Sequence, residues 1–510
     1  MPRSLYLLLF ILALPLFTAA QVTVIHVPAD VPDIQSAINQ AAAIVGGATP
    51  SDVLIEVAPG TYNPSGQPSF NVNGVNNPFF TVTLRAAQGA MVTILDASNI
   101  GNNVIRGFGI RNLVIDGFTI RNRIADQTNF VGRGIVFGDS TNITVQNCNF
   151  DDTFQGLLFR FFDTTLGGQI HLIHNTGVVG QGTDQTAPGF VFGQVANLIT
   201  FYPAGANPTG EPKFIVEHNV FRSNASVVRY INQSFDVNGN AIGTFFNGSL
   251  EMTGNDLSSS IADGFNIIGG HGHLLGANRI HDGGGGGLFQ GAASGIITNN
   301  LIFNNGGHAL VVTDAGDPAQ GFLDEGISVL HNTIVNNAGT GILYIGGVPG
   351  VHNFLPDVYN NILAFNDAGG VASIESDANT FAFIPVSFNL AANDNYGNTL
   401  RNFNVNFFFF PYIGISNPSA AAPNYSGVLN TGLDLAMVPG FRAPQFEDFS
   451  LMANSPLVNA GIASRPTPFE DFFGHLRDSQ PDIGAFEFVT TPNLNVRNNP
   501  NSNGRKLSDK

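Results

Sequence analysis

Residues 297–302 read ITNNLI, 329–334 read VLHNTI and 358–363 read VYNNIL. The same frame, apolar-x-x-Asn-x-apolar, runs back through LGANRI at Leu275, MTGNDL at Met252, VEHNVF at Val216 and VQNCNF at Val145. A degenerate copy is IDGFTI at Ile115, and weaker ones are LIHNTG at Leu172 and VSFNLA at Val386. Alignment of these copies places Phe118, Cys148, Asn175, Asn219, Asn255, Asn278, Asn300, Asn332, Asn361 and Asn389 at one repeat position, 22 to 44 residues apart. Three places earlier every copy is apolar, from Ile115 to Val386, and two places later each is apolar or small, from Ile120 to Ala391. Two inward rows flanking a turn residue predict a parallel β-helix, with short strands stacked about 4.8 Å apart and an Asn at a left-handed bend. Stacked Asn amides can also bond to one another along the axis. Cys148 on an Asn rung reads as a buried filler at a bend rather than a reactive thiol.

Outward from the ladder, the signals agree. Leucine-rich repeats are the competing solenoid, but the copies lack the L-x-x-L-x-L frame and its helix-forming return segments, and propellers are disfavoured because hairpin-paired strands are missing. IQSAINQAAA, Ile34 to Ala43, is an Ala-rich helix capped by Asp33. An open solenoid end exposes strand edges and core, so this helix is expected to cap it. The chain has 510 residues, with 60 Gly and 57 Asn but only 20 Lys+Arg against 37 Asp+Glu. Its 43% hydrophobic content supplies a core, and 11% charge is too little for a disordered chain. The net charge of -17 disfavours nucleic acid and anionic membrane surfaces. A single Cys leaves no internal disulfide.

Residues 1–20 carry Arg3, an apolar run from Leu5 to Phe17 and then Thr18, Ala19 and Ala20, the pattern of a secretory signal cut before Gln21. The apolar run is too short to span a bilayer. The mature chain is therefore expected to be secreted or held at the cell surface, with 21–488 as one β-helix domain and 489–510 as a disordered tail. A monomer is expected.

VIHVPADVPDIQSAINQAAA followed by VLIEVAPGTYN resembles the opening of secreted right-handed β-helix proteins of the pectin-lyase-like superfamily. At the other end, residues 455–488 are similar to the terminal coil of bacterial members, SPxxDxG followed by DxxGxxR and DIGAxE. Asp471, Gly474, Arg477, Asp482, Gly484 and Glu487 match that pattern, while Asn459 stands where Asp is usual. The resemblance implies an all-β, right-handed parallel β-helix over residues 24 to 488, of roughly a dozen coils. It does not imply one chemistry, since the superfamily holds lyases, hydrolases, epimerases and non-catalytic spikes and adhesins.

Gly270, His271 and Gly272 resemble the GHG turn of polygalacturonase-like hydrolases, but no Asp pair lies between Asp263 and that turn. Inverting hydrolysis needs two carboxylates roughly 6.5 to 9.5 Å apart, so chance in a Gly-rich chain is the better explanation. A uronate lyase needs a base together with Arg, Lys or Ca²⁺ to neutralise the substrate carboxylate. Three residues past the rung, facing outward, stand Arg121, Asp151, Arg222 and His281, and one further Asp152 and Asp282. Arg222, His281 and Asp282 are the catalytic candidates, and Arg121, Asp151 and Asp152 the substrate-binding ones. Arg121 and Asp151 are also placed to pair with each other, and His281-Asp282 precedes five glycines that read equally as a flexible turn. His174, His218 and His331 fall just before rung residues and read as turn residues. Asp314, Asp317, Asp324 and Glu325 offer hard oxygens for Ca²⁺, without the spacing of an EF-hand loop. No cofactor is required by these features.

From His281 to Leu400 there are ten acids and no Lys or Arg, whereas Arg85 to Arg229 holds ten of each sign. A polyanionic glycan would avoid the acidic stretch from His281 to Leu400 unless Ca²⁺ bridged it. The expected partner is a polysaccharide or cell-surface glycan, met either by a polysaccharide lyase-like enzyme or by a non-catalytic, glycan-binding solenoid. The expected site is the face running from Arg121 through Arg222 to His281 and Asp282, beside the insertion at 181–212.

Overall fold

The computed structural model describes residues 22–489 apart from 65–66, 99–102, 124–131, 154, 162–167, 180–198, 204–211, 224–227, 232, 236–240, 246–247, 260–264, 269, 292–293, 314–326, 347–356, 368, 377–382, 385–388, 399–428, 431–434 and 464–466. The signal segment, the tail and the proposed Ca²⁺ ligands Asp314, Asp317, Asp324 and Glu325 lie outside the described residues.

The chain winds through three long sheets. Among the described residues sheet A has 14 strands, and sheets B and C have 12 each. One coil passes from Thr141–Gln146 in A to Asn149–Thr153 in B and Gln155–Phe161 in C, and returns to A at Gly168–Ile173. Strands pair in parallel with their equivalents one coil away, so Val145 lies between Ile115 and Leu172, and Val329 between Ile297 and Val358. The row three places before the rung is thus a continuous internal column, and the row two places after it is another, from Ile120 through Phe150 to Leu363.

Between the columns the rung asparagines stack as expected. Asn175, Asn219, Asn255, Asn278, Asn300, Asn332 and Asn361 are buried, and the Oδ1 of each from Asn219 to Asn361 accepts both the backbone N–H and the Nδ2 of the preceding rung at 2.8–3.1 Å. At the A-to-B bend these side chains satisfy backbone amides that strand pairing leaves over.

Two expectations about the ladder need correction. The left-handed residue is the one before the rung, where His174, His218, Asn299, His331 and Asn360 have φ of 54° to 57°. The rung Asn instead turns its amide into the column. Among the described residues the last rung is Asn393, whose Oδ1 accepts from Asn361, and not Asn389, which sits in a sheet A strand opposite Asp357. Leu390 pairs with Val358, and Asn395 takes the slot that is apolar elsewhere, which hides this copy in the sequence.

A second ladder runs at the B-to-C bend, five residues on. Asn305, Asn337, Asn366 and Asn398 are bonded in the same way, and Gly283 N–H opens the series on Asn305 Oδ1.

The helix spans Ile34–Val45, two residues past the expected end, and the Asp33 side chain accepts from Ser36 N–H at 2.8 Å. Ile34, Ala37, Ile38, Ala41 and Val45 form its buried face. It joins the first two strands of sheet A, in a coil that contributes nothing to sheets B or C, and so covers the open core.

Residues 455–488 do not stack as a terminal coil. After Leu435 bridges to Asp394, the chain folds back as a strap along the outer face of sheet B. Phe441, Phe449, Leu451, Leu457, Ile483, Ala485 and Phe486 pack on Leu301, Phe303, Val335, Ile362 and Ala364. The sequence motifs hold the strap's own fold together. Arg477 pairs with Glu487 at 3.0 Å and donates to Gly484 O, Asp482 accepts from Asn459 and Phe488 N–H, and Asp471 accepts from Phe473, His475 and Glu487 N–H. The strap docks through Asn299 Oδ1, which takes Arg477 Nη2, and Asn360 O, which takes Gly484 N–H. Outward-facing apolar side chains in coils 300–364 are the physical reason, because they need a cover that another coil cannot provide.

Candidate functional site

In a strand of sheet B the first and third residues after the rung face outward, so each coil presents a pair. In the coil of Arg279–His281 the pair is Arg279 and His281, and one coil earlier it is Asp256 and Ser258. His281 lies between two carboxylates, with Nε2 at 2.8 Å from Asp256 Oδ1 and Nδ1 at 2.8 Å from Asp282 Oδ2. Its ring stacks on Phe303 with 5.0 Å between centroids, and Phe303 in turn meets Phe449 of the strap at 5.2 Å. Arg279 lies over the Phe303 ring at 4.9 Å and pairs with Glu447 of the strap.

Burial alone would lower the basicity of His281, but its bonds to Asp256 and Asp282 outweigh this and hold it above the ordinary histidine range. Burial would likewise raise the Asp256 carboxyl, yet the bond and charge of His281, with Arg279 and Arg222 nearby, hold it below the usual carboxylate range. With both ring nitrogens directed at carboxylates, His281 is best satisfied as an imidazolium. It then has no lone pair for abstracting a proton. Its side chain is 11% exposed, whereas those of Asp256 and Asp282 are 37% and 55% exposed, so the carboxylates are what solvent or a ligand meets.

Arg121 and Asp151 fall into a separate cluster. Arg121 Nε bonds Asp151 Oδ2 at 2.6 Å, with Asp96 at 3.9 Å and Arg123 reaching Asp151 at 3.6 Å. Asp151 and Arg222 are two coil steps apart, through Val178, about 10 Å. Asp152 falls where the pairing of its strand shifts register, and its side chain lies outside the described residues. Arg222 is exposed and close enough to Asp256 to influence its charge. Gly270 and Gly272, with φ of 86° and 65°, make the turn from sheet C to sheet A, away from this face. Among the described residues no three His, Cys, Asp or Glu side chains converge as metal ligands.

The sequence reading followed the third and fourth positions after each rung and so missed Asp256 and Arg279 at the first. Period-2 alternation was the signal that places them on the same face. Beside them, along the B-to-C bend, runs an open groove of about 500 Å³ lined by Asp282, Gly283, Asn304, Gly306, Asn336 and Asp367, among others. Asp282, Asn304 and Asn336 occupy its left-handed positions, with φ of 53° to 57°.

A family model described as a right handed beta helix region matches residues 206–384. Together with the three parallel sheets, this match makes the chain a right-handed parallel β-helix. No curated protein matches the chain. Among solved structures, the pectate lyase Pel9A is 15% identical with a TM-score of 0.42, over 92% of this chain and 96% of that chain. The A-module of the mannuronan C-5 epimerase AlgE6 of Azotobacter vinelandii is 16% identical with a TM-score of 0.39, over 80% and 94%. The catalytic domain of a GH87 alpha-1,3-glucanase is 12% identical with a TM-score of 0.39, over 81% and 68%. Likeness at this level carries no argument about chemistry.

Proposed function

We propose that the chain is a secreted, glycan-binding β-helix whose site is the outer face of sheet B around Arg222, Asp256, His281 and Asp282. One observation carries this reading: two partly exposed carboxylates are fixed on either side of a single stacked imidazole. Carboxylates so oriented accept hydrogen bonds from vicinal sugar hydroxyls without reordering on binding. Secretion is supported by the signal-like residues 1–20. A neutral glycan is favoured over a uronate, because Arg121 is engaged by Asp151 and acids dominate the coils from His281 onward.

Hydrolysis is a second reading on spacing alone: carboxylates bonded to opposite nitrogens of one ring stand on the order of 7 Å apart, the separation of an inverting pair. The His281 ring lies between them, however, and holds Asp256 ionised, so a hydrolase would have to draw its acid from Asp282. A lyase using His281 as base is the weaker alternative, since the imidazolium has no site for the proton; Ca²⁺ would then have to neutralise the uronate.

The test is a screen on pectate, alginate, glycosaminoglycans and neutral glucans with and without Ca²⁺, reading binding, unsaturated products and reducing ends. Binding of a neutral glycan that Asp256→Asn weakens supports the proposal, and new reducing ends support hydrolysis. Unsaturated products would favour the lyase, and silence on every substrate would overturn the proposal.

A further inference from the structure

We infer that the sheet B face receives the end of a glycan chain rather than an internal stretch; this rests on the glycan-binding reading above. The outward third position of sheet B changes character between two adjacent coils. Arg121, Asp151, Val178, Arg222, Ser258 and His281 pair in succession, and the next partners, Phe303, Val335 and Ala364, are apolar and buried. The strap buries them, and its leading edge stands beside His281. There Glu447 pairs with Arg279, Phe449 packs on Phe303, and Phe446 is 78% exposed. Arg279 and His281 share one strand, so this wall is tied to the same coil that holds the two carboxylates.

A polymer lying along the axis on this face meets the wall immediately past His281. An internal stretch must leave the site in both directions, whereas a chain end leaves in one. The run from Arg121 to His281 covers five coil steps, about 24 Å, or about five sugar units at one per coil. The terminal sugar then lies beside Asp256 and Asp282, with Phe446 as the exposed ring on the wall side. Aromatic rings stack on the apolar face of a sugar, which makes Phe446 the residue of the strap that touches ligand. The groove at the B-to-C bend, from Asp282 to Asp367, is the detour an internal stretch would need.

The full mature protein is titrated calorimetrically with linear oligomers of two to ten units cut from amylose, β-1,3-glucan and polygalacturonate, with the parent polymers, and with cyclodextrins, which have no ends. The inference predicts that affinity per mole of chain rises to about five units and then levels off, that polymer binding at equal mass scales with the number of chain ends, and that cyclodextrins bind at least tenfold more weakly than linear maltodextrins. It also predicts about a tenfold loss for Phe446→Ala with no change in melting temperature. Affinity that keeps rising with polymer length, together with cyclodextrin binding as tight as linear, would overturn end recognition and route the chain through the B-to-C groove while leaving glycan binding in place. Unchanged affinity of Phe446→Ala would remove the strap from the site. No binding by any of these probes would overturn the underlying glycan reading as well.

Discussion

Truncating Asn332 to Ala should cost about 2–5 kcal/mol although it removes little apolar surface. Asn332 is fully buried, and its Oδ1 accepts Asn300 N–H at 2.9 Å and Asn300 Nδ2 at 3.0 Å. Its own Nδ2 donates to Ile297 O, Leu330 O and Asn361 Oδ1. After truncation Asn300 Nδ2 keeps Leu275 O, and Asn361 Oδ1 keeps Asn332 N–H, but Asn300 N–H loses its acceptor outright. An orphaned buried amide costs about 1–3 kcal/mol, and each shared bond lost adds about 1 kcal/mol or less. The opposite change tests the same logic. At the Cys148 rung the amide of Phe118 is directed at a thiol whose pKa burial pushes up to about 12, and Cys148 N–H already donates to Asn175 Oδ1. Cys148→Asn supplies a better acceptor and lengthens the ladder, so it should be neutral or stabilising by about 1 kcal/mol. Urea unfolding gives the two energies, and hydrogen exchange at the Asn300 amide reports the orphaned group directly. Stability of Asn332→Ala within about 0.5 kcal/mol of the parent, with Asn300 still protected, would refute the ladder as a source of cohesion.

Asp394 is fully buried, Met437 N–H bonds its Oδ1 at 2.8 Å, and burial raises its pKa to about 7 against the ordinary 3.8. A raised carboxyl is stabilising only while protonated, so this contribution is present below about pH 4 and lost as pH rises to 7; Asp394→Asn should match the parent at pH 4 and melt higher at pH 8, by up to about 4 kcal/mol of stability. Gly484 has φ of 101°, and a Cβ there would lie 2.5 Å from Ile362 Cδ1, so Gly484→Ala should loosen the strap by about 2–4 kcal/mol, read as faster proteolysis within residues 437–488. Asp256→Asn should lower the pKa of His281, because burial then faces one carboxylate instead of two, and an NMR titration of the ring protons checks the direction.

The coil was legible because its two apolar columns recur without exception through Met252, Leu275, Ile297 and Val329, and because Asn occupies the bend between them. The Asn393 copy escaped notice since Asn395 replaces the apolar residue that defines the frame. The Asn305 ladder was readable in principle, as Asn recurs five residues after rungs 300, 332, 361 and 393. The strap was not readable in this way. Phe303, Val335 and Ala364 announce only that something covers them, and the cover, Phe441 to Phe486, lies several coils' length further along the chain with no periodic relation to the coils. Part of the site was visible for the complementary reason: Arg222, His281 and Asp282 belong to the repeating frame, whereas Glu447 and Phe449 reach it only through the fold.

The most direct test of the glycan site is hydrogen exchange of the mature protein with and without saturating linear β-1,3-gluco-oligosaccharide and maltodextrin. The sheet B site predicts new protection in 220–223, 256–258 and 279–284 and in the strap turn 444–449, with the outer strands of sheets A and C unchanged. Protection confined to sheets A or C, or to the groove beyond Asn304, would contradict it.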